Sequence, residues 1–259
     1  MFGRLQNAIK KGKTALGTFV FSSDPAVVEV IGFSGFDFVI IDTEHGQSSP
    51  FDTNHLGNMI RAAEVSGMSP IVRVTEKNRA MILKVMDAGA AGVIVPHIKT
   101  VDDANDIVTY SRFRPEGLRG SCPYMKAKKW FMEGWEEYRE KSNKDFYVIP
   151  LIEDKEAIDN IEEIIAIEGI SFPHYGPFDL AQSYGMHSPE AVYTEKIVKA
   201  REKIIKACKK HNKPFMDIAF NAEHAKQLFK ENVDFVSYGT DLMVLGDWCK
   251  NLVQSVKNQ

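Results

Sequence analysis

The residues of this chain best suited to chemistry are two carboxylates, one arginine and one histidine. Glu153 closes the apolar run Phe146–Ile152, and Asp179 follows Gly176-Pro177-Phe178 just after the next strand-like run. At the ends of adjacent strands, the two offer hard oxygen donors to one ion without thiolate or histidine company. That suits Mg2+ or Mn2+, with Co2+ a third candidate, and leaves positions open for water and substrate. Arg73 is embedded in Pro70-Ile71-Val72-Arg73-Val74 and needs an anionic partner. An oxo-acid carboxylate or enolate oxygen would serve, and so would an internal ion pair with Asp42 or Glu44. His45, in Asp42-Thr43-Glu44-His45-Gly46, is a candidate general base because its ordinary pKa lies near working pH. Asp87, on the helix after the third strand, could orient its ring and set its tautomer. His97 and His174 also end strand-like runs, so spacing alone does not choose among the three. A layer of structural ion pairs would use the same residue types.

These groups need a frame that gathers strand ends. Eight short apolar, β-branched runs cover Ala15–Phe21, Phe36–Asp42, Pro70–Val74, Gly92–His97, Phe146–Glu153, Ile170–Tyr175, Phe215–Phe220 and Phe235–Gly239. Segments with helical spacing lie between them, among them Thr53–Ser66, Asn78–Ala88, Val101–Ser111, Lys155–Ala166, Ala191–His211 and Ala222–Lys230. The alternation continues without a composition break and predicts a single (β/α)8 TIM barrel over residues 1–259, with chemistry at the C-terminal ends of the strands. A doubly wound open sheet is the rival, but the first strand lacks the glycine-rich turn that fold would show. One interval, near 113–145 before the fifth strand, breaks the rhythm with a Lys- and Trp-rich excursion. Such an excursion is expected over the active-site mouth or at a subunit contact, or else as a solvated helix with an aromatic inner face.

A net charge of -3 gives no footprint for nucleic acid or an anionic membrane. No apolar run is long enough to span a bilayer, and the first residues are too polar for a signal peptide. Three widely spaced cysteines, Cys122, Cys208 and Cys249, form no metal or redox motif, which points to a reducing cytoplasm. None of the eight strand runs contains a lysine. A Schiff-base aldolase would need one there, so metal stabilisation of a carbanion is the better expectation.

Several stretches in order resemble the HpcH/HpaI family of metal-dependent class II pyruvate aldolases. They are Phe38–Gly46, Pro70–Val74, Gly89–Pro96, Gly117-Leu118-Arg119-Gly120, Ile152-Glu153 and Gly176–Leu180, and the likeness runs over nearly the whole chain. The resemblance implies a metal on Glu153 and Asp179, an enolate oxygen stabilised by Arg73, and a proton moved by His45 with Asp87 behind it. It further implies that backbone amides near Gly176-Pro177-Phe178-Asp179, and around Ile218, hold the carboxylate of a pyruvate-type substrate. A homo-oligomer, trimer or hexamer, that exchanges a C-terminal helix (here Asp241–Val256) belongs to the same expectation. Two positions depart from the pattern. Leu151 stands where the family often has a glutamine, and Ser171–Tyr175 replaces an aspartate followed by apolar residues.

The function expected is that of an aldolase or retro-aldolase joining or splitting a 2-oxo acid and an aldehyde. Decarboxylation of a β-oxo acid such as oxaloacetate through the same enolate is the close rival. An acyl-CoA lyase and a non-catalytic barrel rank below both. Because side chains alternate along a strand, either His174 or Tyr175 must face the barrel interior. An inward His174 could bind substrate, and an outward one would pack under the following helix.

Overall fold

The computed structural model describes residues 3–257. Eight parallel strands close into a barrel in sequence order: β1 Ala15–Val20, β2 Phe38–Asp42, β3 Ser69–Arg73, β4 Gly92–Val95, β5 Tyr147–Ile152, β6 His174–Tyr175, β7 Met216–Ala219 and β8 Phe235–Thr240. The helices between them are α2 Pro25–Phe33, α3 Thr53–Val65, α4 Arg79–Asp87, α5 Val101–Ser111, α6 Trp135–Asp145, α7 Lys155–Asp159, α8 Ile161–Ala166, α9 Pro177–Ser183, α10 Glu195–Lys210 and α11 Ala222–Lys230. They start where side chains can accept from orphan amides: Asp24, Asp52, Asn78 and Asn221 cap four of them, and Thr100 with Asp103 forms a capping box. The chain opens with α1 (Gly3–Lys10) and ends with α12 (Asp241–Lys257).

Strand alternation divides the core in two. Phe38 and Ile40 point into the barrel with Phe19, Ile71, Ile94, Ile149, Leu151, Phe172 and Phe235, while Leu5 of α1 joins the same inner cluster. Val39 and Ile41 point outward to the helices, as do Val72, Val93 and Val148. The same alternation sends Asp42 inward, and the register places it beside Arg73. Leu151 pairs with His174 across β5 and β6.

Three predicted elements differ in extent. The sixth strand keeps only His174–Tyr175, because Pro173 has no N–H for the ladder and Ser171 Oγ accepts the Val148 amide in its place. The predicted helix 155–166 breaks at Asn160, and the one from Ala191 starts only at Glu195, after a short 3-10 turn over Pro189–Tyr193. The excursion near 113–145 joins the end of α5 to the start of β5. It therefore packs at the N-terminal end of the barrel, away from this chain's own mouth, around Phe113, Met125, Ala127 and Tyr138.

Candidate active site

At the C-terminal mouth of the barrel, an inward carboxylate and an inward guanidinium lock together. Arg73 Nε donates to Asp42 Oδ1 at 3.0 Å, and its Nη2 donates to Asp42 Oδ2. Glu44 Oε2 lies 3.2 Å from the same Nε, and the guanidinium carbon sits 5.0 Å over the ring of Phe19. Burial works against the charge of Arg73, but the Asp42 hydrogen bond and charge, followed by Glu44 and Glu153, hold its pKa above the ordinary value. Burial also raises the pKa of Glu44, with Arg73 opposing. The internal ion pair thus exists, and it fixes the guanidinium where it lines the mouth cavity.

Glu153 extends from the end of β5 and is 3% exposed. Its approach to β6 depends on Gly176, where a Cβ would come within 2.8 Å of Glu153 Cβ and 3.0 Å of Oε2. Burial, with the charges of Asp179 and Glu44 adding to it, pushes the Glu153 carboxyl up to about 7 against the His97 hydrogen bond and charge. Asp179, in the first turn of α9, has Gln182 as its hydrogen-bond partner at 3.3 Å and lines the cavity with His45 and Arg73. The charges of Glu153 and Asp179 therefore act on each other at the mouth.

His97 enters the site as a residue whose role spacing had not distinguished. Its amide donates to Glu153 Oε1 at 2.9 Å, and its Nδ1 lies 3.0 Å from Asp154 Oδ2 and 3.4 Å from Glu153 Oε1. Its φ of 54° is a left-handed value, uncommon for a side chain with a Cβ. Burial lowers its pKa, but the Asp154 bond and the charge of Glu153 outweigh this and raise it. His97, Glu153 and Asp154 offer ligand atoms within 4.8 Å of one another. Lys99 Nζ also reaches Asp154, at 3.3 Å. The order His97-Ile98-Lys99 after a strand end was the available signal.

Other expected roles are redistributed. Asp87 does not reach His45 within the chain. It ends α4, and a helix that leaves the mouth after β3 must end at the opposite pole before β4. There its Oδ1 accepts from Arg119 Nη2 at 2.8 Å, and burial raises its pKa. His45 is exposed at the mouth, its amide 3.3 Å from Asp42 Oδ1. Two of the amides expected to hold a carboxylate are engaged: Gly176 N donates to Ile152 O at 3.0 Å, and Ile218 N to Asp217 Oδ1 at 2.8 Å. Pro177 has no N–H, which leaves the first-turn amides of Phe178 and Asp179 without intrahelical acceptors. Asp217, within β7, turns outward to Arg201, with Nε to Oδ2 at 2.6 Å. His174 turns inward and is 2% exposed, whereas Tyr175 turns out toward α10.

These features define a (β/α)8-barrel lyase whose site pairs buried carboxylates with a fixed arginine. The chain belongs to the HpcH/HpaI aldolase/citrate lyase family, whose model matches residues 15–247, and is a carbon–carbon lyase. It is 29% identical over 254 residues to the 5-keto-4-deoxy-D-glucarate aldolase of Klebsiella pneumoniae, covering 98% of this chain and 96% of that one. The citrate synthase SbnG superposes with a TM-score of 0.87 at 31% identity, covering 100% of this chain and 98% of that one. The citrate lyase beta subunit of M. tuberculosis, solved with oxaloacetate and magnesium, shares the fold with a TM-score of 0.60 at 15% identity, over 87% and 91% of the two chains.

Proposed function

We propose that this chain is a divalent-metal-dependent class II aldolase or retro-aldolase acting on a 2-oxo acid through a pyruvate-type enolate. The observation that carries the reading is the buried Glu153 carboxylate, admitted by the missing side chain of Gly176 and set against Asp179 across from Arg73. This all-oxygen pair fits Mg2+ or Mn2+, with Co2+ a third candidate. Bound there, the cation supplies electrophilic stabilisation for negative charge on the 2-oxo oxygen. Arg73, held still by Asp42 and Glu44, adds a preorganised positive charge for the developing enolate. The first-turn amides of Phe178 and Asp179 are the remaining backbone donors for the substrate carboxylate. His45, on the exposed rim of the cavity, moves the proton, and Asp87 takes no part within a single chain. The strands contain no lysine for an imine.

Deuterium exchange at C3 of pyruvate, followed by proton NMR, tests this reading. Exchange should require a divalent cation, and full exchange in excess EDTA would sink it. The likeness to a citrate synthase favours one second reading, another fate of the same enolate such as decarboxylation of a β-oxo acid. Release of CO2 from oxaloacetate without aldehyde turnover would select it.

The chain works as a homo-oligomer, trimer or hexamer, that exchanges α12. None of the described residues of α12 is buried, and its Leu242, Leu245, Trp248 and Leu252 lie open. A cavity of 580 Å³ outside β8 and β1, lined by Leu16, Phe36, Ala225, Phe229 and Tyr238, occupies the place of a barrel's last helix. Another copy's α12 fits that groove. No described helix is long and apolar enough to cross a membrane. Three unpaired cysteines support a reducing, cytoplasmic setting.

A further inference from the structure

We propose that the acceptor of this enzyme is a neutral aromatic aldehyde, bound against a wall built by Phe178, Tyr193 and Phe220. The inference rests on the aldolase reading and specifies its second substrate.

The mouth cavity, 640 Å³ in volume, has two chemically different ends. His45, Arg73 and Asp179 make the polar end, where the enolate forms. At the other end Phe220 stands at the centre of an aromatic group. Its ring centroid is 5.7 Å from Phe178 and 5.6 Å from Tyr193, with interplanar angles of 75° and 74°. Both are edge-to-face contacts, the preferred geometry of aromatic pairs. Yet Phe178 remains 47% exposed and Tyr193 64%, so the wall still presents apolar ring surface to whatever enters.

Two polar groups beside this wall already have partners within the chain. Thr240 Oγ1 accepts from Met243 N at 3.1 Å, and the Glu190 carboxylate accepts from Ser188 Oγ. Arg73 is the only lysine or arginine lining the cavity among the described residues, and Asp42 and Glu44 hold it. In the adjoining cavity, Arg201 is bound to Asp217 and Glu231. A second carboxylate on the acceptor would therefore meet the charge of Glu190 and find no free cation. A polyhydroxylated acceptor would face ring surface over most of the wall and regain few of the hydrogen bonds it had in water. A flat neutral ring matches both the apolar surface and the charge.

The bond chemistry is an ordinary aldol addition. C3 of pyruvate loses a proton to form the enolate and then attacks the aldehyde carbon. The new C–C bond forms as the carbonyl π pair moves to oxygen, and that oxygen takes up one proton, so no redox partner is needed.

The test uses the full-length protein with Mn2+ and pyruvate, first without acceptor and then with benzaldehyde, glyceraldehyde or succinic semialdehyde. Deuterium exchange at C3 reads the enolate step alone. Expected is exchange together with kcat/KM for benzaldehyde at least about tenfold above the two polar aldehydes, the scale of one good aromatic contact. Phe220→Ala, and separately Tyr193→Ala at its exposed position, should lower that ratio about tenfold. Intrinsic aldehyde reactivity cancels when variant and wild-type ratios are compared. Exchange with preferred turnover of a polar aldehyde overturns the acceptor proposal alone, as does a ratio unmoved in both variants. Absence of exchange removes the aldolase reading and the acceptor proposal with it.

Discussion

His174 should make the folded protein sensitive to acid in a way that a single substitution removes. Its ring lies inside the barrel, 5.8 Å from the ring of Phe19. Ser237 Oγ donates to the Asp217 carbonyl at 3.1 Å, which commits the hydroxyl proton. The 3.3 Å contact between Ser237 Oγ and His174 Nε2 must then run from ring to hydroxyl, fixing the Nε2–H tautomer. Nδ1 is left as a buried acceptor that no protein donor reaches among the described residues. Burial, with the charge of Arg73 second, pushes the imidazole down from 6.5 to about 3. Between those limits the unfolded chain binds a proton that the folded chain refuses. Stability from this group is therefore intact above pH 6.5 and is lost as pH falls toward 3. The cost approaches about 1.4 kcal/mol per pH unit below 6.5, where half of the unfolded rings already carry the proton, so the two units from 6.5 to 4.5 cost about 2 kcal/mol. His174→Phe should abolish this component, because phenylalanine fills the space and binds no proton. Urea unfolding of wild type and variant at pH 7.5, 6.5, 5.5 and 4.5 would read it. The variant should gain about 2 kcal/mol on wild type between pH 6.5 and 4.5. Parallel stability curves would refute the reasoning and mean that solvent or a carboxylate reaches Nδ1 in the folded state.

Three further outcomes test the site and the assembly. Gly176→Ala should weaken Mn2+ binding in calorimetry by at least about tenfold with the fold intact by circular dichroism, because its Cβ would displace Glu153 from 2.8 Å away; unchanged affinity would remove Glu153 from the metal site. Arg73→Lys should lower turnover by at least about a hundredfold, since lysine cannot hold the Asp42 fork and face the enolate at once. Near wild-type turnover would leave Arg73 as the structural partner of Asp42. Trp248→Glu, on the open apolar surface of α12, should dissociate the proposed oligomer in light scattering. A variant of unchanged mass would argue against helix exchange.

The barrel was legible because its signal is repeated. Each strand run is short, apolar and followed by a helix, and the order of these runs is the order of the strands around the closed sheet. The position of Glu153 and Asp179 at the mouth was legible for the same reason, since one follows the end of β5 and the other opens the helix after β6. What the sequence left open were directions within a pleat and around a loop. Asp217 sits in a run that ends at the mouth, yet alternation turns its carboxylate outward to Arg201. The same alternation turns His174 inward, where the choice between it and Tyr175 required the register with β5.

Asp87 shows why a motif can place a residue correctly on its element and still leave its partner within the chain open. Its helix was expected and is present, but α4 runs antiparallel to the strands, so a residue at its C-terminal end is carried to the far pole. The carboxylate that His45 lacks there is matched by one that His97 possesses. Asp154 follows Glu153 directly, and the left-handed turn at His97 lays the imidazole against both. A loop conformation of that kind is set by contacts across two strands, which local sequence does not encode. Glu153, Asp179 and Arg73 reach this mouth through their places at or just after strand ends. His97 and His174 owe their directions to a left-handed turn and to the pleat, and neither direction could be taken from residue type and spacing.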